Sequence, residues 1–200
     1  MSAPKNTLRP DLAMIASHVA PGSRVLDIGC GDGRLIAELE AQRNVDARGM
    51  ELDPDLVERC VALGLSVVQG DADRDLADYP DKAFDYAILG QTLQTAERPD
   101  LMLDQLLRIG RTAFVSFPNF AHWRTRTALM FGGRMPVTRT LPVSWYATQN
   151  IHHVTIADFT DLARQKGAKI ERSWFFADER EIGAPAVNWR AEYAVFQLSR

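Results

Sequence analysis

The stretch Val25-Leu26-Asp27-Ile28-Gly29-Cys30-Gly31-Asp32-Gly33 decides the fold. A short apolar run carries an acid near its end, and three glycines at alternate positions follow. Arg34-Leu35-Ile36-Ala37-Glu38-Leu39 then continues with helical spacing. Glycines at a strand-to-helix turn permit tight backbone geometry and let a ligand approach the main chain closely. The carboxylate of Asp27, just ahead of the first glycine, restricts the ligand. A turn built to hold a pyrophosphate gains nothing from a negative charge there. A turn facing the ammonium and sulfonium groups of S-adenosylmethionine gains electrostatic attraction.

The flanking sequence repeats the same alternation. Residues 1–9 read as a loose leader. Leu12, Ile15, Ala16 and Val19 form one apolar stripe of a helix over 11–19, which Pro21-Gly22 ends. Strands are predicted over 24–28, 45–51, 65–69, 84–89 and 112–117, with helices over 33–42, 54–63 and 100–108. Asp53 caps the helix that opens with Pro54. Short apolar strands separated by helices imply a parallel sheet covered on both faces, because each right-handed crossover lays a helix over the sheet. A helix over 156–166 and strands over 168–176 and 192–198 complete the pattern, the last two strands joined by a polar turn. The predicted fold is α/β: one Rossmann-like doubly wound sheet, and residues 24–90, with the acid-Gly-X-Gly-X-Gly turn, Glu51 and the Gly70-Asp71 step, resemble the class I methyltransferase type. The sheet has about seven strands, mostly parallel, with an antiparallel C-terminal strand. Residues 10–200 form one domain, and 118–150 read as an inserted lid or partner-binding segment.

Composition narrows the class. The 200 residues suffice for one substantial core and are too few for two ordinary domains. A net charge of −3 disfavours wide electrostatic binding of nucleic acid. Cys30 and Cys60 lack any ligand-like spacing, so neither a disulfide framework nor a zinc site is expected, which fits a reducing cytoplasm. No apolar run approaches a membrane span. A soluble, cytoplasmic protein is expected.

Four strand ends hold the candidate binding residues, at the sheet edge where open α/β folds bind ligands. They are Asp27 with the turn, Glu51, Asp71 with Ala72, and Gly90-Gln91. Glu51 lies about twenty residues past the turn, where an acid accepts both ribose hydroxyls. Asp71 either bonds an adenine amino group or merely caps a turn. A Rossmann dinucleotide site shares the glycines and the ribose acid but does not call for Asp27. The expected cofactor set is Asp27, Gly29, Cys30, Gly31, Gly33, Glu51, Leu52, Asp71, Ala72, Gly90 and Gln91.

The turn VLDIGCGDG, QGDADRDLADYPDKAFDYAILGQTLQ (69–94), VSFPNFAHWRTR (115–126), GRMPVT (133–138) and LPVSWYATQNIHHVTIADF (141–159) together resemble the MetW family of methionine-biosynthesis proteins. The similarity runs from about Arg9 to about Phe176. It implies S-adenosylmethionine or S-adenosylhomocysteine as ligand. It also implies homoserine O-acetyl/succinyltransferase (MetX) as partner, with self-association possible and neither nucleic acid nor membrane involved. It does not imply a demonstrated methyl transfer.

The catalytic question turns on the fourth strand end, Gly90-Gln91-Thr92-Leu93-Gln94. Amides and a threonine orient a substrate but take no proton at neutral pH. The Asn/Asp-Pro-Pro-Tyr signature of amine and base methylases is absent there. His122, His152 and His153 are candidate bases or structural hydrogen-bonding groups. The sequence leaves the catalytic residues unassigned. Segment 118–150 holds Trp123, Arg124, Arg126, Met130, Phe131, Arg134, Met135, Arg139, Trp145 and Tyr146. It reads as a lid carrying acceptor specificity, as a partner surface, or as an insertion packed on the sheet.

Overall fold

The computed structural model describes residues 8–138 and 141–200. In chain order the elements are α1 (Pro10–His18), β1 (Arg24–Ile28), α2 (Arg34–Arg43), β2 (Asp46–Glu51), α3 (Pro54–Ala62) and β3 (Val67–Gln69). Then come α4 (Ala72–Asp75), β4 (Phe84–Gly90), α5 (Pro99–Ile109), β5 (Gly110–Pro118) and α6 (Trp123–Gly132). The chain closes with α7 (Ile156–Gln165), β6 (Lys169–Ala177), β7 (Arg180–Glu181), α8 (Val187–Arg190) and β8 (Tyr193–Ser199). All eight strands join one sheet in the order β3-β2-β1-β4-β5-β8-β6-β7.

β1 to β5 pair in parallel, and β8 runs antiparallel between β5 and β6. The sequence-based fold class therefore holds, with one strand more than expected. That strand is β7, two residues long and paired with the end of β6. Two residues are too short to show any alternation, so it reads as part of the 179–190 turn.

Alternation along each strand sorts the core into two layers. Leu26, Ile28, Leu89, Val115 and Phe117 face α5 and α7, while Val25, Ile88 and Phe114 face α1 and α2. This is the period-two consequence of a pleated strand covered on both faces. Asp27 and Ser116 occupy polar positions on the α1 side, in alternation with Ile28 and Phe117. Asp53 accepts the Asp55 N–H at 2.9 Å and caps α3 as expected. Thr155 caps α7 by accepting from Asp158 N–H at 3.1 Å.

The N-terminal reading is adjusted. Residues 1–7 of the expected leader lie outside the described residues. Leu8 packs against the core layer under α1, and Arg9 is tied to Asp11 and Gly90. Helix α6 was not expected. It buries only Thr125, so it offers no apolar stripe to read.

Phe117 is fully buried, with its ring 4.7 Å from Phe159 and 5.8 Å from Phe196. It joins β5 to α7 and β8. Phe117→Ala removes this three-ring contact and is expected to cost about 3–5 kcal/mol in denaturant unfolding. A loss below 1 kcal/mol would show that the layer collapses around the gap.

Candidate functional site

The C-terminal ends of β1, β2, β3 and β4 open onto one cleft of ≈ 790 Å³. That lies within the usual size of small-molecule sites. Of the expected residues, Gly29, Glu51, Leu52, Asp71, Ala72, Gly90 and Gln91 line it. Gly31 reaches it through its backbone, donating its N–H to Glu51 Oε2 at 2.7 Å. Cys30 and Gly33 do not line it. The Cys30 thiol is buried under Gly49, and Gly33 starts α2 against Cys60 and Leu65. Burial and the neighbouring Asp27 push the Cys30 thiol far above its ordinary pKa, which marks it as an inert core group.

The glycine turn is built for close approach. Gly29 sits at φ +68, and a Cβ there would collide with Thr92 Oγ1. Only glycine combines that backbone with that neighbour. Glu51 Oε1 accepts from Leu52 N–H at 2.9 Å and Asp53 N–H at 3.1 Å. One carboxylate thus braces both the turn of β1 and the exit of β2. A carboxylate has roughly four acceptor positions; three are taken by backbone N–H groups, so about one remains for a hydroxyl donor. Asp71 caps α4 by accepting from Asp73 N–H at 3.1 Å, and it pairs with Arg74 at 3.3 Å. It fills the turn-capping role and lines the cleft as well.

Asp27 is only 3% exposed beneath the turn. Burial raises its pKa from 3.8 to about 7, against the lowering effect of Arg9 and with a smaller raising effect of Glu51. Arg9 belongs to a polar cluster that the sequence did not announce. Asp11, 1% exposed, accepts from Arg9 Nε and Nη2 at 3.2 Å each, from Gln91 Nε2 at 3.3 Å and from Ser116 Oγ at 2.8 Å. Arg9 Nη2 also reaches the Gly90 carbonyl at 3.5 Å. The Gln91 side chain is therefore held by Asp11, a constraint invisible in the local sequence because residues 11 and 91 lie far apart. Thr92, Thr95, Met102 and Gln149 also line the cleft and were not among the expected residues. Gln149 comes from the irregular segment, where no periodicity could place it.

The candidate histidines sit elsewhere. His122 is buried next to the start of α6, where burial pushes its pKa down. His153 packs edge-on to Phe120 at 4.6 Å. Neither lines the cleft. Chemically, the cleft offers a backbone cradle, acids at the ends of β2 and β3 (Glu51 and Asp71), and an amide–hydroxyl rim at β4, while Asp27 of β1 lies buried and does not line it. That arrangement suits a nucleoside with a cationic tail.

The sequence matches the family profile described as methionine biosynthesis protein MetW over residues 9–198. The chain belongs to the MetW family. It is 33% identical over 179 residues to the bifunctional methionine biosynthesis protein MetXA/MetW of Rhodopirellula baltica. That match takes in 85% of this chain and 29% of the relative, so the chain spans less than a third of that protein's length. Among solved structures, a SAM-dependent methyltransferase from Archaeoglobus fulgidus superposes with a TM-score of 0.71 at 16% identity, covering 94% of this chain and 91% of the other. An S-adenosylmethionine-dependent methyltransferase from Mesorhizobium loti gives 0.70 at 20% identity, covering 94% and 96%. These likenesses establish the class I methyltransferase fold for this MetW-family chain. No helix among the described residues is long and apolar enough to cross a membrane.

The raised pKa of Asp27 gives a signed prediction. Below its free value of 3.8 both folded and unfolded chains hold the proton, and between 3.8 and about 7 only the folded chain does. The stabilising contribution of the neutral carboxyl is therefore lost as pH rises through that window, at up to about 1.4 kcal/mol per pH unit. Asp27→Asn should unfold at denaturant concentrations near the wild type at pH 4 and be the more stable protein at pH 8. Parallel stability curves for the two proteins would contradict the assignment.

Proposed function

We propose that this MetW-family protein binds S-adenosylmethionine or S-adenosylhomocysteine in the cleft and acts as a cytoplasmic accessory protein of methionine synthesis. In that role it associates with and supports homoserine O-acyltransferase (MetX). The observation that carries the ligand reading is a pair of acids on adjacent strands at one glycine turn, of which Glu51 lines the cleft and Asp27 lies buried behind the turn. Asp27 is buried beneath a glycine turn, and Glu51 is bonded to that same turn from the next strand. A phosphate-bearing dinucleotide gains nothing from the first acid, whereas a cationic amino-acid tail does. The fused relative supports the partner reading, because its name joins a MetXA part to a MetW part in one chain.

In this reading Glu51 accepts a ribose hydroxyl, and Asp71 and Ala72 at the end of β3 face the base. Gly29 and Gly31 let the tail lie against the backbone, with Asp27 beneath it. Cys30 and Gly33 shape the turn, Leu52 covers the sugar, and Gly90 and Gln91 close the tail end. S-adenosylmethionine supplies a transferable methyl group on a sulfonium centre. The chain supplies position and charge, and the amide–hydroxyl rim at Gln91 and Thr92 orients without taking a proton. Those features favour a ligand that is sensed over one that is consumed. A ligand that binds the free and the partnered protein differently must shift the association equilibrium, and reciprocally.

Calorimetric titration with each cofactor form tests the ligand. Hydrogen bonds to a charged acceptor are worth about 1.5–3 kcal/mol each, so Glu51→Ala should weaken binding by roughly 10- to 100-fold. Titration of the acyltransferase with and without saturating cofactor tests the association, and a changed affinity is expected. Lack of binding by both cofactor forms would overturn the ligand. An acyltransferase that neither binds nor changes activity would overturn the accessory role.

A further inference from the structure

Segment 118–150 concentrates exposed apolar side chains. Ten of the sixteen large hydrophobic residues exposed among the described residues fall between Trp123 and Ile151. Phe131 is 79% exposed and Met130 78% at the end of α6, and Tyr146 is 77% and Trp145 73% exposed further along. None of these is needed to close the core layers, whose members lie on the helices and strands around the sheet. Such density exceeds the scatter of single apolar residues on an ordinary surface and marks an interaction site. Trp, Tyr, Met and Arg are also the residue types that anchor interfaces.

The patch has depth. The chain leaves α6 through Gly132-Gly133 and enters the wall of an apolar groove of ≈ 260 Å³, lined among others by Phe120, Met135, Leu141, Val143 and Trp145. Arg124 and Arg126 lie on α6, the first over Trp123 at 5.3 Å and paired with Glu192 at 3.5 Å, the second over Trp189 at 5.3 Å. A groove with an aromatic lip fits an apolar side chain presented by a protein surface.

The groove also adjoins the ligand cleft. Thr148 and Asn150 line the groove, while Gln149 between them lines the cleft. Neighbouring residues of this segment thus line different cavities. One strip of three residues therefore separates the two cavities. Just beyond it, Ile151 and His152 donate their N–H groups to the Gln94 carbonyl at 2.9 and 3.0 Å, and Gln94 Nε2 donates to the Gln91 carbonyl. The strip is thus tied to the same β4 end that rims the cleft.

We propose that the apolar face formed by the end of α6 and the groove behind Trp145 is the docking surface for the homoserine O-acyltransferase chain. Ligand in the cleft and partner in the groove then press on opposite sides of residues 148–150. The inference rests on the association proposed above and adds its location and its link to the ligand. The occupant is argued from the Rhodopirellula baltica relative, in which a MetXA part and a MetW part share one polypeptide. Two parts held in one chain meet at high effective concentration, which favours a standing contact between them.

The experiment measures binding of the purified full-length chain to purified homoserine O-acyltransferase by calorimetry, for wild type, Phe131→Ser, Trp145→Ser and the control Leu63→Ser. Leu63 is 71% exposed next to α3, outside the segment. Cofactor titration and thermal unfolding confirm that each variant is folded. The proposal expects a loss of at least about tenfold in partner affinity for Phe131→Ser and Trp145→Ser, with Leu63→Ser unchanged and cofactor affinity retained in all. Partner affinity equal across the three variants would overturn the surface while leaving the association intact. Failure of the wild type to bind the acyltransferase would overturn the association itself. Light scattering that shows the two segment variants losing only self-association would assign the surface to a second copy and overturn the proposal.

Discussion

The burial of Asp27 is the constraint around which the site is organised. A carboxylate at 3% exposure near the end of a central strand is costly when charged. The structure answers that cost in two ways. The proton is retained to about pH 7, and Arg9 is placed where its charge favours the ionised form. Arg9 is itself held by Asp11, which also gathers Gln91 and Ser116. A carboxyl poised between neutral and charged then lies under a turn whose glycines leave the backbone bare. A cation arriving over that turn would complete the pairing that the folded chain leaves partial.

From that constraint the rest of the cleft takes its shape. Glu51 is fixed to the turn by the Gly31 N–H and to the exit of its own strand by two further amides. It therefore stands preorganised, with little side-chain entropy left to lose on binding. Gly29 must remain glycine because Thr92 fills the space beside it. Thr92 comes from the end of β4, so the turn and the opposite wall of the cleft are set against each other. Just past β4, the Gln94 carbonyl anchors residues 151 and 152 by accepting their N–H groups. Cleft, rim and irregular segment thus form one connected structure.

Much of the fold was legible because its signals are local. The turn from Asp27 to Gly33, the proline-led helices and the two-faced apolar strands each state their element in a few residues. Glu51, Leu52, Asp71, Ala72, Gly90 and Gln91 were placed by the same logic, since parallel strands bring their C-terminal ends to one edge. The remainder was hidden for physical reasons. Asp11 meets Gln91 only through the packing of α1 on the sheet, and Gln149 reaches the cleft from a segment without periodicity. Helix α6 has no buried stripe, and β7 is too short to alternate. Residue type alone does not tell Cys30, which turns into the core, from Gly29, which lines the cleft. Membership of the MetW family explains why motifs beyond the methyltransferase core, such as 115–126 and 133–138, are present at all.

The central claim is that a cationic ligand over the glycine turn ionises Asp27. Calorimetric titration with S-adenosylmethionine at pH 6, repeated in two buffers of different ionisation enthalpy, reads the protons released on binding. The account predicts close to one proton released per ligand in the wild type, declining toward zero as pH rises past 8, and none in Asp27→Asn. Binding with a heat independent of the buffer at pH 6 would contradict it.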